Sequence, residues 1–205
     1  MSVDKPFWRG KRVLMTGHTG FKGAWLTLWL KQLGADVTGL ADGVPTTPSL
    51  FGLAGLRDAV PTRWADVRDV QAVLHAVRRS PEARSVVNVT SDKCYDNHAQ
   101  GRPFREDDPM GSHDPYSRSK GCTERVAERW PGELRWAVDD GPRPHEAGLL
   151  LLDSSKARER LGWTPRWNLA EGLNATIAWY AALHGSADMR EVSPEQISAF
   201  AAITA

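Results

Sequence analysis

The run Arg12-Val13-Leu14-Met15-Thr16-Gly17-His18-Thr19-Gly20-Phe21-Lys22-Gly23-Ala24-Trp25-Leu26 limits what this chain can fold into more tightly than any other stretch. A short apolar run reads as a buried strand and breaks into three glycines spaced three apart. The apolar positions then return at helical intervals, at Trp25, Leu26, Trp29, Leu30 and Leu33. A strand that turns through glycine into a helix is a phosphate-binding turn. Gly17 allows a tight exit from the strand, Gly20 lets backbone amides approach a pyrophosphate, and Gly23 lets the new helix pack closely on the sheet. The start of the helix adds free N–H groups and the positive end of its dipole.

Gly34 is a natural end for that helix, and Asp36-Val37-Thr38-Gly39-Leu40 resumes as a short strand. Strand, turn, helix and strand form a βαβ unit, whose crossover is expected to be right-handed and its strands parallel. Asp42 lies just beyond the second strand, roughly 20 residues past the glycines, where a carboxylate can accept hydrogen bonds from an adenosine ribose. No arginine stands nearby to welcome a 2′-phosphate, which favours NAD over NADP; a solvated loop aspartate fits the position as well. Asp66, at the end of a third strand, could bond the adenine amino group. Its alternative is a helix N-cap, a role that suits Asp69 better.

Composition narrows the function. The 205 residues suffice for one core, or for one domain with a short second lobe. A net charge of +1 with acids and bases mixed evenly provides no basic face for nucleic acid and no polybasic membrane patch. Two cysteines, Cys94 and Cys122, make no disulfide framework and suit a reducing cytoplasm. Met1 to Gly10 has no apolar centre and does not read as a signal peptide. No stretch is apolar enough to read as a membrane span. No metal site is expected, and the nine tryptophans read as core or interface.

Further along, Gly43 to Leu56 reads as a loop with a helical turn at Leu50 to Leu56, and Val70, Val73, Leu74 and Val77 mark an amphipathic helix. Arg84 to Thr90 reads as a strand running into Ser91-Asp92-Lys93-Cys94-Tyr95. Reactive groups gather at the carboxyl ends of parallel strands, so these polar residues are a catalytic candidate, with a plain tight turn as the alternative. Asp96 to Ser112 reads as a surface loop. Asp114-Pro115 opens a helix on which Tyr116 and Lys120, four apart, share a face. They read either as a catalytic pair or as a tyrosine packed beside a surface lysine. Pro131-Gly132 breaks the helix. Leu149 to Leu152 reads as a strand, Ser154 to Leu161 and Leu169 to Leu183 as helices, and Pro194 to Ile203 as a shorter one.

With these residues in hand, the chain resembles the extended short-chain dehydrogenase/reductase family, in its nucleotide-sugar 4,6-dehydratase branch. The resemblance rests on Thr16 to Gly23, on Thr90-Ser91-Asp92-Lys93-Cys94-Tyr95 and on Asp114-Pro115-Tyr116-Ser117-Arg118-Ser119-Lys120. It rests also on Pro144-His145-Glu146-Ala147 and on Leu152 to Ala157 followed by Leu161-Gly162-Trp163. Lys93 stands where dehydratases of dTDP-glucose carry glutamate. The resemblance implies a Rossmann-like doubly wound parallel α/β sheet over residues 1–130 and a remnant of a small C-terminal nucleotide-sugar lobe over 131–205. It implies NAD held by Gly17, Thr19, Gly20, Phe21, Gly23, Asp42 and Asp66, and a nucleotide-sugar substrate, CDP-glucose, touched by His145 and Glu146. Ser91, Asp92, Lys93, Tyr116 and Lys120 would be catalytic, and a homodimer is common in the family. Members run to roughly 350 residues. The resemblance therefore also implies internal shortfalls, one between Asp69 and Arg84 where a nicotinamide-supporting strand belongs, and a larger one between about Arg125 and Leu134.

Overall fold

The computed structural model of the chain describes residues 5–66, 70–87, 89, 91–96, 101–110 and 151–203. They belong to two compact units, Met1–Pro81 together with Thr164–Ala205, and Glu82–Trp163. In the first unit a short helix α1 (Lys5–Trp8) leads to strand β1 (Arg12–Thr16), helix α2 (Phe21–Gln32) and strand β2 (Asp36–Ala41). β1 and β2 run parallel, with Arg12 opposite Asp36 and Thr16 opposite Leu40, so the expected βαβ unit is formed. Two short helices, α3 (Leu50–Leu53) and α4 (Leu56–Ala59), carry the chain to β3 (Thr62–Trp64), and α5 (Val70–Arg79) follows. β3 adds parallel to β2, giving a three-stranded sheet in the order β1-β2-β3. The architecture is α/β with a parallel sheet, consistent with a Rossmann-like fold.

Beyond α5, the described helices are α6 (Ser155–Leu161) in the second unit, and α7 (Leu169–His184) and α8 (Met189–Ala202) in the first. Asn168 and Glu171 form a capping box that starts α7 by satisfying each other's backbone amides. α8 begins five residues before Pro194, which was expected to open it. Asp188 accepts the Arg190 N–H at 2.9 Å and caps the helix there, and Met189 and Ser193 are buried ahead of the proline. Pro194 removes one ladder donor in the second turn, which the helix tolerates, and its carbonyl accepts from the Gln32 side chain at 2.9 Å. The buried indole N–H of Trp179 donates to the buried Ser193 hydroxyl at 3.0 Å and ties α7 to α8.

The core of this unit follows from the two periodicities. Side chains alternate along β2, so Val37, Gly39 and Ala41 share a face, and all three are buried. Val37 joins Ala24, Leu28 and Leu30 of α2, Leu50 and Phe51 of α3, Leu56 of α4, and Trp179, Met189 and Ile197 of the last two helices. Gly39 contributes no side chain to this face. The imidazole of His18, fully buried, occupies the space instead, and a Cβ on Gly39 would collide with its ring. The ring stands edge-on to Phe51 with centroids 5.2 Å apart, and Nε2 lies 2.9 Å from the Thr62 hydroxyl. Thr62 donates its one hydroxyl proton to Val60 O, so its oxygen accepts from Nε2. That assigns the ring proton to Nε2. Burial holds the imidazole pKa below its ordinary value, and the Leu40 carbonyl, which favours the charged ring, is the weaker influence.

The strand expected over Arg84 to Thr90 is not formed. Residues 84–87 and 89 carry no strand pairing, and Val86, Val87 and Val89 are 58%, 84% and 73% exposed; residues 88 and 90 lie outside the described residues. A parallel strand is stabilised by its neighbours, and apolar β-branched residues without a ladder partner have only weak propensity to hold them extended. The preceding stretch, where the resemblance implied an intervening strand, is occupied by α5. Leu149 to Leu152, also expected as a strand, shows only an isolated parallel bridge from Leu152 to Phe104, with residues 149 and 150 outside the described residues.

Two tests follow from this packing. A Cβ on Gly23 would collide with Gly17 O and stand 2.9 Å from both Gly17 C and His18 Cα, all backbone atoms that cannot swing aside. Gly23→Ala should therefore destabilise by about 1–3 kcal/mol in urea titration. Gly172→Ala, in α7 with open space around it, should stabilise by about 0.5–1 kcal/mol. The second test is of pH. The unfolded chain binds a proton at His18 near pH 6.5 and the folded chain resists it, so this contribution to stability is whole above pH 6.5 and is lost as pH falls below it. Stability should decline from pH 7 to pH 5.5, and the decline should be smaller in His18→Gln; an equal slope in both proteins would contradict the assignment.

Candidate functional site

The turn between β1 and α2 is built to leave donors available. Gly17 has φ +65° and swings the chain out of the strand while its N–H still bonds Leu40 O at 2.8 Å. Gly20, extended at φ −76°, is the N-cap of α2 and offers no side chain to cap it. Its own amide turns inward to Gly17 O at 3.1 Å, and the first ladder bond of the helix is Ala24 N–H to Gly20 O at 2.8 Å. The amides of Phe21, Lys22 and Gly23 therefore open the helix with no i−4 carbonyl to take them. No acidic side chain stands in this first turn, and Lys22 is exposed there. Such a helix start favours an anion, and the pyrophosphate of a dinucleotide fits that chemistry.

The other expected cofactor residues sit along the same sheet edge. Thr19 is buried and donates its hydroxyl to Gly43 O at 2.7 Å, tying the turn to the loop that leaves β2. Asp42, exposed, is the first residue past β2, and Asp66, exposed, lies two residues past β3. In a parallel sheet the carboxyl ends of the strands share one edge, so Thr19, Asp42 and Asp66 belong to the edge where open α/β sheets take ligands. The Phe21 side chain is exposed and stands edge-on to Trp25 and Trp179 at 6.4 and 6.2 Å.

In the second unit, Asp92–Cys94 form a single 3-10 turn. Ser91 organises it, accepting the Lys93 N–H on its hydroxyl at 3.2 Å and the Cys94 N–H on its carbonyl at 3.0 Å. Cys94 is buried, while Ser91 and Lys93 are half-buried. Tyr95 pairs with Met110 in an antiparallel bridge and stacks on Phe104, with centroids 4.9 Å apart and rings 11° from parallel. Phe104 is 3% exposed in a stretch expected to be surface loop, and sequence reading missed it. The available signal was a lone aromatic amid Arg102, Arg105, Glu106, Asp107 and Asp108. Phe104 is itself held by residues 151–153, its N–H bonding Leu151 O at 2.8 Å and its carbonyl accepting the Asp153 N–H at 2.7 Å.

Charges surround this loop in closed pairs. The Arg102 guanidinium on Asp108, with the Arg105 amide, holds the Asp108 carboxyl down at about 2. Asp153 is likewise held below the usual carboxylate range by the Ser155 hydroxyl and amide, with Arg105 adding to the effect at 3.0 Å. A surface depression of about 370 Å³ lies among Arg102, Pro103, Arg105, Asp107, Asp108 and Asp153. Both of its arginines are already engaged within it, Arg102 by Asp108 and Arg105 by Asp153. Tyr116, Lys120, His145 and Glu146 lie outside the described residues, as does the side chain of Asp92. Among the described residues no group of three or more His, Cys, Asp or Glu could hold a metal, and no helix is long and apolar enough to cross a membrane.

Residues 52–136 match the Epimerase family, described as the NAD dependent epimerase/dehydratase family. CDP-glucose 4,6-dehydratase of Salmonella typhimurium is 27% identical over 356 aligned positions, which take in 98% of this chain and 99% of that protein. The aligned positions outnumber the 205 residues here, so the alignment crosses internal stretches of the relative that have no counterpart in this chain. The family match covers Ser91, Asp92, Lys93, Tyr116 and Lys120, and the family implies use of NAD(H). Beside the turn at Gly17 to Gly23 and the parallel sheet beneath it, the chain is thus similar to the NAD dependent epimerase/dehydratase family over residues 52–136 and to one CDP-glucose 4,6-dehydratase along nearly its whole length.

Proposed function

We propose that this chain binds NAD at the β1–α2 turn and carries the residues for dehydration of CDP-glucose to CDP-4-keto-6-deoxyglucose. The observation that carries the reading is the uncapped start of α2, whose first amides stand beside a glycine turn too tightly packed for any larger residue at position 23. The amides of Phe21, Lys22 and Gly23 would hold the pyrophosphate, with Gly17 and Gly20 shaping the turn that lets it approach, and Asp42 and Asp66 would hold the ribose and adenine. In this reading residues 1–130 serve the cofactor and 131–205, with His145 and Glu146, the nucleotide sugar.

NAD supplies reversible hydride acceptance, from C4 of the sugar and back to C6. The residues of the chain manage the protons. Tyr116, with Lys120 four residues on, takes the proton of the C4 hydroxyl, and Ser91 hydrogen-bonds the same oxygen. The resulting C4 ketone acidifies the C5 proton, which Lys93 removes as a neutral amine and returns to C5 when hydride reaches C6. Asp92 protonates the C6 hydroxyl as it leaves as water. The acid and the base are neighbours in sequence, on the single turn Asp92–Cys94.

A second reading is favoured by the exposed Val86, Val87 and Val89 and by the internal stretches of the relative that this chain lacks. It is a nucleotide-binding remnant that no longer turns over. The purified protein decides between them. With NAD at 100 times its Kd, thermal stability should rise by about 2.7 kcal/mol. CDP-glucose should then yield a keto sugar detected by its absorbance in alkali, and Lys93→Ala should abolish the product while keeping the NAD shift. A shift without product in the wild-type chain selects the remnant; no shift at all rejects both.

A further inference from the structure

We infer that His18 is a positioning residue for the cofactor turn: its ring, seated under β2 in the space left by Gly39, clamps the β1–α2 turn so that the first amides of α2 face the anion. The inference rests on the reading of that turn as a dinucleotide site, but its geometry is independent of any ligand.

His18 follows the one residue of the turn that leaves the strand at positive φ, and it comes two residues before the N-cap of α2. Its backbone is thus part of the cradle while its side chain runs back beneath the sheet. There the ring bonds Thr62 of β3 through Nε2 at 2.9 Å, packs on Phe51 of α3, and fills the gap in the row Val37, Gly39, Ala41. The next residue, Thr19, is tied separately to Gly43 O at 2.7 Å. Two consecutive residues of the turn are therefore anchored to different parts of the unit, one to β3 and one to the loop after β2.

A residue serving only to fill the core need not be polar. An apolar side chain of similar size would occupy the space beside Gly39 without drawing a hydroxyl on a neighbouring strand. The observed ring does both, and Gly39 cannot be replaced without expelling it, so the identity of a residue in β2 is set by a side chain of the turn. Because the amides of Phe21, Lys22 and Gly23 move as one with the N-cap, any freedom regained at His18 is delivered directly to the groups that would meet a phosphate.

The test compares four single variants with the wild-type chain, reading the Kd for NAD by isothermal titration and the exchange rates of the Gly17 and Gly20 amides without ligand. His18→Leu fills the volume without the bond, and should raise the Kd at least tenfold and speed both amides about tenfold. His18→Gln keeps a donor at the Nε2 position and should stay within about threefold of wild type. Ile197→Ala, in the core far along the chain from the turn, should lose comparable thermal stability while changing neither readout. Thr62→Val removes the acceptor from the other side and should reproduce His18→Leu, which also decides the matter should His18→Leu not fold. NAD affinity and amide protection unchanged in His18→Leu or Thr62→Val overturn the inference. Absence of NAD binding in the wild-type chain rejects the dinucleotide reading instead, and the amide exchange rates still decide whether His18 clamps the turn.

Discussion

The first unit depends on how closely α2 approaches the end of β1. Gly23 sits where any Cβ would strike the backbone of Gly17 and His18, so the helix can lie against the turn only because that position carries no side chain. The approach sets the tilt of α2 over the sheet and thereby brings Ala24 and Leu28 into the same core as Val37. The same approach leaves the helix start without a cap and next to the carboxyl edge of three parallel strands. Packing and anion binding are thus two results of one contact.

A second close fit complements the first. The sheet would have a hole at Gly39, and the turn fills it with its own His18, so turn and sheet are each incomplete without the other. The C-terminal helices pack into the same core. Trp179 of α7 joins the core beside Phe21 and Trp25 of α2, and its indole bond to Ser193 fixes α7 on α8. The last 40 or so residues of the chain therefore fold with its beginning. A sequence-local view of domains does not anticipate that, since no periodicity in α7 tells which helix its one buried tryptophan meets.

What could be read in the sequence divides along the same line between local and non-local causes. β1, α2, β2, α5, α6 and α7 were all legible, because glycine spacing, apolar period and capping residues act within a few positions. Asp36 to Ala41 alternates cleanly, and Asn168 with Glu171 is a capping box that can be read directly from the chain. The start of α8 was misread because proline usually opens helices, whereas here Asp188 caps earlier and buried Met189 and Ser193 outweigh one missing donor. Phe104 was missed because its burial comes from Tyr95 and residues 151–153, which no pattern around it announces. Val86, Val87 and Val89 have strand-forming side chains, yet a strand is a property of a pair, and the partner that would order them has no counterpart among the residues of α5.

These distinctions bear on whether binding and turnover can part company in such a chain. The turn at Asp92–Cys94 is secured by its own short-range bonds, from Lys93 and Cys94 amides to Ser91, and by the stacking of Tyr95 on Phe104. It needs no strand before it to keep its shape. The cradle at Gly17 to Gly23 is equally self-contained, being fixed by β2, β3 and α3. Each of the two loops is thus held by bonds within its own unit. Binding draws on the cradle alone. The proposed turnover asks in addition for the residues of the Asp92–Cys94 turn, so a change confined to that turn can remove turnover and leave binding in place.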